Sequence, residues 1–464
     1  MTDIKLNEEQ RDFVAAFRAW LQKPNSQYFL LTGWAGTGKT YAAMEALKSV
    51  SREIVFSAPT HKALQVLRER AIAADVPGNF HTLAAMLHLR LGYLENGEQQ
   101  LMPGTRGKAY FTINPGVACL VIDEVSMVDR VLWEHLNIAL EKLPDLKVLL
   151  LGDPHQLPPP RSSDVPIFSL LLPPGNKASL NVVERNSGAI GQNTEGIVCE
   201  IVTKADKFKT WQKGENLKLY TDHGEWSNAL VLGFQDSSLS VDATKALAWT
   251  NKEVDHLNKL VRHGIAKPQD TGLPLFSPGD ILTAKERVVD PTALPERDNN
   301  YGQILAPTQL ARVVDVRKLV LEYEPAADTG AISAKGYELV LHDDGGFLGF
   351  ARVASVEEYP RLLDYSKKLK KEVLTAVKAG KRGRSFWGVY YGLLDAFGLV
   401  SVGKGFSPNL RPAFAQTIHQ SQGSTYETVF LNARDVGGCK AKTLHNKLLY
   451  VGASRASTAL HVLV

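Results

Sequence analysis

Apolar segments of strand length alternate with amphipathic segments of helix length in the first part of the chain. The candidate strands are Tyr28–Thr32, Ile54–Ser57, Cys119–Ile122 and Val148–Leu151, and the candidate helices between them are Tyr41–Val50, His61–Ala73 and Val128–Leu143. This alternation predicts a parallel sheet with helices on both faces, the α/β class. Sites in such sheets gather where the strands end, so the residues after each strand are the first candidates for chemistry.

A second alternating set lies near the end of the chain, and a different pattern separates the two sets. The later set comprises the candidate strands Ala246–Trp249, Thr428–Leu431 and Leu460–Val464 and the candidate helices Asn251–His263 and Lys442–Val451. Residues 273–352 carry short β-like runs with Gly and Pro turns, which predict a small barrel, and residues 356–379 predict a helix. The expected division is a first lobe at 1–188, a second lobe at 189–263 and 410–464, and an insertion at 264–409.

The segment Gly33–Thr40, GWAGTGKT, matches the phosphate-binding loop G-x-x-x-x-G-K-[ST] at every fixed position. A strand-like run precedes the segment and a helix-like run follows it, which is the context that the motif requires. Glycines let backbone N–H groups approach phosphate oxygens, and the helix N-terminus adds partial positive charge. Lys39 can reach the β- and γ-phosphates of a nucleotide, and the Thr40 hydroxyl can hold Mg²⁺. The predicted nucleotide contacts are Gly33, Ala35, Gly36, Thr37, Gly38, Lys39 and Thr40.

Two further strand ends supply candidate catalytic groups. Asp123 and Glu124 follow the apolar run that ends at Ile122. Asp123 is suited to hold Mg²⁺ and Glu124 to orient and deprotonate the attacking water, because a cation relieves the repulsion between adjacent carboxylates. An Asp-Glu pair alone is usually a solvated turn, so its place after a strand matters. Gln156 follows the next strand and can contact the γ-phosphate or its water; the alternative is an ordinary proline-rich loop.

The amino-acid composition excludes several classes of protein but does not by itself assign a function. Hydrophobic residues make up 44% of the chain and the mean hydropathy is −0.13, values typical of a globular protein with a large core. No apolar run approaches the ~20 residues that a membrane span needs, so we expect no membrane association and a cytoplasmic protein. The three cysteines are widely separated, so we expect reduced thiols, no structural zinc and no iron–sulfur cluster.

Charge is weak evidence for a partner. The net charge of +4 permits an anionic polymer as partner without demanding one. One short stretch concentrates basic residues, namely Lys367, Lys368, Lys370, Lys371, Lys378, Lys381, Arg382 and Arg384. Such a run is equally well a solvated helix face or a patch that contacts a nucleic-acid backbone.

Six segments in this order resemble the motifs of superfamily 1 helicases. They are Gly33–Thr40, Ser57–Ala63, Asp123–Met127, Gly152–Leu157, Thr417–Gly423 and Leu449–Arg455. The Asp-Glu-Val-Ser-Met form, the compact size and the inserted barrel are most similar to Dda-type phage helicases. These belong to the RecD-like branch, which moves 5′ to 3′ on single-stranded DNA. The resemblance covers nearly the whole chain and implies two RecA-like parallel-sheet lobes of the P-loop NTPase class.

The resemblance also implies roles for individual residues. Gln10 would read the adenine edge, since an amide offers one donor and one acceptor, and Gln422 and Gly423 would join the nucleotide site. Arg185 and Arg455 would act as arginine fingers on the γ-phosphate, because the guanidinium binds phosphate oxygens bidentately and stays charged. The implied DNA contacts are Thr60, His61, His81, Thr82, Thr417, His419 and Gln420.

The family carries a strand-separating pin, and a hook that braces it. Residues 91–101 contain Asn-Gly, a strong hairpin signal, within the expected pin insertion at 83–117. The alternative is a surface hairpin without a role. The aromatic cluster Ser385–Tyr391 lies where the hook is expected; its rings would brace the pin, stack on bases or pack the core of the insertion.

The residues and the resemblance together predict an ATP-driven helicase that uses ATP and Mg²⁺. The resemblance alone implies that it moves 5′ to 3′ on single-stranded DNA and unwinds duplex in phage replication, recombination or repair, in the cytoplasm of the bacterial host if the chain is phage-encoded. Its expected partners are single-stranded DNA and junctions with duplex, with a single-strand-binding protein or other replication proteins as further candidates, and a monomer is expected. One alternative is a translocase that displaces proteins without efficient unwinding. Another is a non-hydrolysing nucleotide-binding module, against which Glu124 argues. A nuclease is disfavoured because no separate carboxylate cluster remains.

Overall fold

The computed structural model describes residues 6–94, 96–103, 116–159, 165–184, 188–204, 206–235, 241–266, 274–290, 303–307, 309–325, 330–379 and 383–464. The α-helices are α1 Glu8–Leu21, α2 Lys39–Leu47, α3 His61–Ala73, α4 Leu83–Met86, α5 Arg130–Leu140, α6 Gly188–Thr203, α7 His223–Gln235, α8 Asn251–Ile265, α9 Tyr359–Lys378, α10 Gly383–Ala396, α11 Ala433–Gly437 and α12 Lys442–Ala453. Among these described helices, none combines the length and the hydrophobicity that a bilayer crossing requires.

The strands alternate with these helices at both ends of the chain and follow one another in the middle. They are β1 Tyr28–Gly33, β2 Ile54–Ala58, β3 Asn79–Thr82, β4 Leu89–Tyr93, β5 Gln99–Pro103, β6 Cys119–Ile122, β7 Lys147–Gly152, β8 Lys177–Leu180, β9 Leu217–Tyr220, β10 Thr244–Ala248, β11 Ile281–Ala284, β12 Val288–Val289, β13 Gln303–Leu305, β14 Leu310–Tyr323, β15 Ile332–Asp343, β16 Gly346–Ala354, β17 Leu399–Val402, β18 Gly405–Pro408, β19 Leu410–Pro412, β20 Ala415–Thr417, β21 Tyr426–Asn432 and β22 Ala456–Leu463.

The first compact unit comprises residues 1–89, 103–257 and 415–464 and contains two parallel sheets. One sheet has the order β3-β2-β6-β7-β1-β8 and the other β20-β10-β21-β22-β9. Both are flanked by helices, and β2, β6 and β10 are buried along their whole length, as parallel strands covered on two faces are expected to be. The predicted α/β class with two RecA-like lobes is therefore confirmed. We call the part around the first sheet the first lobe and the part around the second sheet the second lobe.

The second compact unit comprises residues 90–102 and 258–414. Its largest sheet is antiparallel, with the order β16-β15-β14-β11-β19. β15 and β16 are joined at Asp343–Gly346, the Asp-Asp-Gly-Gly turn of the sequence. Helices α9 and α10 pack together over a cluster of buried apolar residues, and the hairpin β4–β5 belongs to this unit. A closed barrel, the hook and the exact domain boundaries stay predictions.

Element bounds follow the local chemistry of the chain. α2 begins at Lys39, two residues before the predicted start, because Gly38 at φ 76° serves as its N-cap. α5 begins at Arg130 instead of Val128, because the Asp129 side chain caps it by accepting a hydrogen bond from Leu132 N–H. The segment before it forms a 3₁₀ turn over Val125–Met127. The predicted strand Cys119–Ile122 and helix His61–Ala73 match the structure residue for residue.

Candidate active site

Three neighbouring strands of the first lobe bring the sequence motifs together. β7 lies between β6 and β1, pairing in parallel with both. The phosphate loop follows β1, the Asp123–Glu124 pair follows β6, and the loop that contains Gln156 follows β7. Because parallel strands end at one edge of the sheet, these segments share one side of the lobe.

The phosphate loop adopts the backbone that the motif requires. Gly36 and Gly38 have φ angles of 85° and 76°, values that favour glycine strongly over other residues. A Cβ on Gly33 would lie 2.6 Å from the carbonyl oxygen of Leu180. Lys39 Nζ donates hydrogen bonds of 2.8 Å to the carbonyl oxygens of Gly33 and Trp34. The lysine therefore folds back over the loop, where its charge lies among the backbone groups expected to cradle phosphates.

The residues expected to hold a metal are in direct contact. The Thr40 hydroxyl donates a 3.0 Å hydrogen bond to Asp123 Oδ2. Burial raises the pKa of the Asp123 carboxyl, and the Glu124 N–H, Lys39 and Thr40 oppose that shift. A hydroxyl beside a buried carboxylate is an oxygen-donor set of the kind Mg²⁺ takes in nucleotide sites, so these residues fit the ion.

Glu124 has the properties expected of a general base. Its backbone lies in the left-handed region at φ 53°, a strained conformation for a residue other than glycine, which is often associated with functional sites. Burial, and next the negative charge of Asp123, raise the pKa of Glu124 to about 7, while Arg455 and Lys39 lower it. A carboxylate with its pKa near neutrality can accept a proton from water more readily than an ordinary glutamate.

Arg455 of the second lobe lies beside these first-lobe groups. Its guanidinium is buried, and it donates hydrogen bonds to neutral oxygens, those of Val451, Ser424 and the Ser454 hydroxyl. A single cavity is lined by Ala35, Gly36, Gly38, Lys39, Thr40, Ala63, Val66, Arg70, Asp123, Glu124, Gln156, Gly423, Ser424, Thr425 and Arg455. Three cationic side chains thus face one cavity with two carboxylates, an arrangement suited to a polyphosphate and its metal.

Two predicted polar contacts have additional structural roles. Gln156 is buried in the cavity wall, and its Oε1 has no hydrogen-bond partner within the described part of the chain, so its carboxamide can still engage a ligand. Gln422 donates to the carbonyl oxygen of Leu157 at 3.1 Å, across the two lobes. Gly423 has φ 78°, and a Cβ there would contact Ala63 of the first lobe at 3.4 Å.

Gln10 lies against the phosphate loop, but both ends of its amide already have protein partners. Its Oε1 accepts from the Asn7 N–H in the cap of α1, and its Nε2 donates to the Thr37 carbonyl oxygen at 3.0 Å. The second N–H of Nε2 and the second lone pair of Oε1 remain for a nucleotide base. Arg185 lies outside the described residues, and its role stays a prediction. The preceding residue, Glu184, donates its N–H to the carbonyl oxygen of Gly36 in the phosphate loop.

Arg70 and Tyr450 are two of the residues near the site that sequence reasoning missed; Val66, Ser424 and Thr425 also line the cavity. Arg70, on α3, lines the cavity, although in sequence it resembles any arginine on an amphipathic helix. Tyr450, on α12, reaches from the second lobe to Ala35 and Asp153 of the first. Its place in the segment Leu449–Arg455 was the available signal, but a lone tyrosine in an apolar helix predicts core packing.

Two protein-family profiles match this chain. The AAA domain profile matches residues 5–224, and that of the UvrD-like helicase C-terminal domain matches residues 412–463. The ATP-dependent DNA helicase Dda of Enterobacteria phage T4 is 23% identical over 478 residues, 98% of this chain and 98% of Dda. The ATP-dependent RecD2 DNA helicase of Deinococcus radiodurans is 35% identical over 134 residues, 28% of this chain and 16% of RecD2.

This chain is a superfamily 1 DNA helicase related to Dda. It belongs to the RecD-like branch and is an ATP-hydrolysing enzyme. A crystal structure of Pif1 helicase from Bacteroides with ADP-AlF3 and ssDNA aligns with a TM-score of 0.46 and 16% identity, over 99% of this chain and 92% of that one.

The predicted DNA contacts of the helicase lie at the ends of the outer strand β3 and its neighbour β2 in the first lobe, and at the outer strand β20 in the second. In the first lobe, β2 and β3 pair in parallel, with Ala58 opposite Thr82. Thr60 and His61 follow β2, and His81 and Thr82 end β3, so the four residues share one corner of the sheet. Both threonines cap helices, since Thr60 Oγ1 accepts from Ala63 N–H and Thr82 Oγ1 from Ala85 N–H.

The counterpart in the second lobe follows β20, which is also an outer strand. The Thr417 hydroxyl donates to Gln420 Oε1 at 3.2 Å, and the Gln420 N–H donates back to Thr417 Oγ1 at 3.3 Å. His419 lies in the same turn, half-buried, and burial lowers the pKa of its imidazole. Thr417 itself is buried, so the turn presents the half-buried His419 and Gln420 side chains, polar groups that can contact phosphates without reading bases.

The hairpin of the second unit is held by the aromatic cluster. A Cβ on Gly97, at the hairpin turn, would lie 2.6 Å from the Trp387 ring, and the Tyr391 hydroxyl donates to the Gly97 carbonyl oxygen at 3.0 Å. From the basic run, Lys370 Nζ lies 5.9 Å from the Trp387 ring centroid and 5.7 Å from that of Tyr390, distances typical of cation–π contacts. Lys381 and Arg382 lie outside the described residues.

Proposed function

We propose that this helicase couples ATP hydrolysis in the cavity between its two lobes to 5′-to-3′ movement along single-stranded DNA, and that it unwinds duplex in its path. The observation that carries the proposal is the position of Arg455. This side chain belongs to the second lobe, yet it lines the same cavity as Lys39, Asp123 and Glu124 of the first. Because the two lobes together supply the charged groups of this cavity, hydrolysis can depend on how closely the lobes approach each other.

The residues of the cavity divide the chemistry among them. Lys39, Arg70 and Arg455 provide positive charge for the phosphates, and the phosphate-loop N–H groups add directed donors. Glu124 accepts a proton from the attacking water, and Gln156 orients that water or contacts the γ-phosphate. Mg²⁺, held by Thr40 and Asp123, would neutralise charge that develops on the phosphate oxygens. Arg185 is proposed as a second arginine at this site.

DNA would be gripped by the two outer-strand corners. The set Thr60, His61, His81 and Thr82 serves the first lobe, and the set Thr417, His419 and Gln420 serves the second. These are small polar or aromatic side chains beside helix and turn N–H groups, which suits backbone contacts and predicts little sequence preference. Binding should weaken with added salt as counterions are released.

The braced hairpin favours unwinding over protein displacement alone. A strand-separating element must resist the cost of unstacking base pairs, ~1.4 kcal/mol per step, so it needs a rigid support. The ring of Trp387 and the hydroxyl of Tyr391 give the turn at Gly97 that support. We therefore assign the hairpin β4–β5 as the pin and α10 as part of the hook.

Substituting Gly97 by alanine is expected to displace the pin and so to impair duplex unwinding without impairing ATP hydrolysis. The new Cβ would clash with Trp387, and the positive φ of 85° already strains any residue other than glycine. We expect unwinding of a forked substrate to fall roughly ten-fold or more, since a small misplacement of a working group has effects of that size. ATP hydrolysis stimulated by single-stranded DNA should stay within about two-fold of wild type, because the cavity is untouched.

The matched control for this variant is Gly403→Ala. Gly403 also occupies a hairpin turn, between β17 and β18, with a φ of 57°, and a Cβ there would meet no described atom within 4 Å. It carries the same backbone strain without the clash, so it should unwind at the wild-type rate. Normal unwinding by Gly97→Ala would argue against the pin assignment.

Two partial duplexes test the proposed function itself. One has a 5′ single-stranded overhang and the other a 3′ overhang, and strand separation is followed after ATP is added. We expect separation of the 5′-tailed duplex only. Separation of the 3′-tailed duplex alone would reverse the proposed direction, and displacement of streptavidin from a 5′-tailed strand without separation would favour the translocase.

The biological setting follows the similarity to Dda of phage T4. We propose that the helicase acts in phage DNA replication, recombination or repair in the cytoplasm of a bacterial host, on single strands and their junctions with duplex. A monomer suffices for this scheme, because one chain supplies both sides of the cavity. A single-strand-binding protein is the first candidate among protein partners, since it covers the same track.

A further inference from the structure

One hydroxyl group joins the second lobe to two nucleotide-site segments of the first. The Tyr450 hydroxyl, on α12, accepts a 2.7 Å hydrogen bond from the N–H of Ala35 in the phosphate loop. It donates a 2.6 Å hydrogen bond to Oδ2 of Asp153, which begins the loop that carries Gln156. Both segments line the cavity through other residues, so the hydroxyl lies directly behind the cavity wall.

The loop that carries Gln156 is held by the second lobe at two further positions. Lys447, one turn before Tyr450 on α12, donates from Nζ to the carbonyl oxygen of Pro154 at 2.9 Å. Gln422 donates to the carbonyl oxygen of Leu157 at 3.1 Å. Gln156 therefore lies between two contacts with the second lobe, at Pro154 and Leu157, so its position depends on where that lobe lies.

The Tyr450 contacts are fully buried, so water cannot easily replace them. Asp153 is 0% exposed and Tyr450 1%. The other carboxylate oxygen, Asp153 Oδ1, accepts from the His155 N–H at 2.9 Å. Burial, and next the negative charge of Asp153, raise the pKa of the Tyr450 phenol well above its usual range, so the hydroxyl keeps its proton and donates it. Loss of the hydroxyl would leave a buried N–H and a buried carboxylate oxygen without this partner.

We propose that Tyr450 is a positioning residue for ATP hydrolysis. Its hydroxyl sets the phosphate loop and the Gln156 loop against α12, the helix that ends at Ala453, two residues before Arg455. The positions of Gln156 and Arg455 relative to the phosphate loop therefore depend on the same contact between the lobes, the one made by the Tyr450 hydroxyl. This inference rests on the proposed function, because it concerns the step that the cavity performs.

The variant Tyr450→Phe tests the proposal, because it removes one oxygen and keeps the ring in the core. We expect kcat for hydrolysis stimulated by single-stranded DNA to fall about ten-fold or more, the range for loss of a buried hydrogen bond to a charged group. The KM for ATP should stay within about three-fold of wild type, since Lys39 and the phosphate-loop glycines are unchanged. A merely structural role would lower the melting temperature and leave kcat unchanged.

The matched control is Tyr28→Phe. Tyr28 is a half-buried tyrosine of β1 whose hydroxyl donates to Asn137 Oδ1 at 3.1 Å, on α5, and which does not line the cavity. This variant also loses one hydroxyl oxygen, but away from the cavity, so its kcat should stay within about two-fold of wild type. A loss of kcat in Tyr28→Phe equal to that in Tyr450→Phe would overturn the proposal.

Asp153→Asn changes the other partner of the same hydrogen bond. It provides a second test if Tyr450→Phe unfolds below the assay temperature. Its kcat should fall as well, and the double variant should lose much less than the product of the two single losses, because the two residues act as one unit. Wild-type kcat in Tyr450→Phe, or independent losses in the double variant, would refute the proposal. Absence of DNA-stimulated hydrolysis in the wild-type protein would instead refute the proposed function.

Discussion

Replacing Lys39 by alanine is expected to abolish DNA-stimulated ATP hydrolysis while leaving single-strand binding intact. The ammonium group lies over the phosphate loop and is one of three cations facing the cavity. Removing a preorganised charge at a site of developing negative charge costs roughly 10²–10³-fold or more in rate. The predicted DNA contacts lie at the ends of β2, β3 and β20 and do not include this residue. Phosphate release and fluorescence anisotropy of a labelled single strand measure the two properties.

Lys48→Ala is the matched control for this prediction. Lys48 follows α2, the same helix that Lys39 begins, and its ammonium pairs with Glu45 at the surface. An exposed pair of this kind contributes little to stability, so hydrolysis should be unchanged. Unwinding at the wild-type rate by Lys39→Ala would refute the assignment of the cavity as the ATP site.

Replacing Arg455 by alanine should reduce DNA-stimulated hydrolysis by about 10³-fold, the lower end of the range for an arginine finger. Arg455 is buried at the cavity, and its charge acts on Glu124, whose pKa it lowers. Because the phosphate loop remains, ATP binding should weaken much less than the rate of hydrolysis. A single-turnover measurement of phosphate release, beside a binding titration with labelled ATP, separates the two effects.

Two comparisons distinguish this effect from a loss of stability. Arg434→Ala removes an arginine of the same lobe whose guanidinium also donates to backbone carbonyl oxygens, those of Val464 and Thr221. It should leave hydrolysis near wild type. Arg455→Lys keeps the charge but loses the planar fork, so it should restore only part of the rate. Full activity in Arg455→Ala would exclude coupling through this residue.

The four inner strands of the first sheet and the phosphate loop could be predicted because their signals are local, whereas the outer strands β3 and β8 were missed. A buried parallel strand such as Cys119–Ile122 is a short apolar run, and its bounds were correct to the residue. Gly33–Thr40 combines backbone freedom, a lysine and a hydroxyl in one segment, so its chemistry is visible without neighbours. The order of the motifs along the chain then indicated the helicase family.

Contacts between distant segments could not be predicted in the same way. Tyr450 and Asp153 are 297 positions apart, and a tyrosine among Leu448, Leu449 and Val451 indicates only a helix core. The support of Gly97 by Trp387 likewise joins segments that no periodicity connects. Gln10 was assigned to adenine alone, whereas the structure also uses it to cap α1 and to contact Thr37. The start of α2 was misjudged because the left-handed Gly38 begins it.

β3 and β20 are outer strands, and this position affects how the segments beside them can contact DNA. A strand at the margin of a sheet has one hydrogen-bonded neighbour, whereas β6 and β7 each have two. The segments that follow β3 and β20, which we propose as DNA contacts, are therefore attached to the sheet through a strand with a single neighbour. We therefore expect the DNA contacts to shift during movement along the strand, while the catalytic groups that follow β6 and β7 keep their positions.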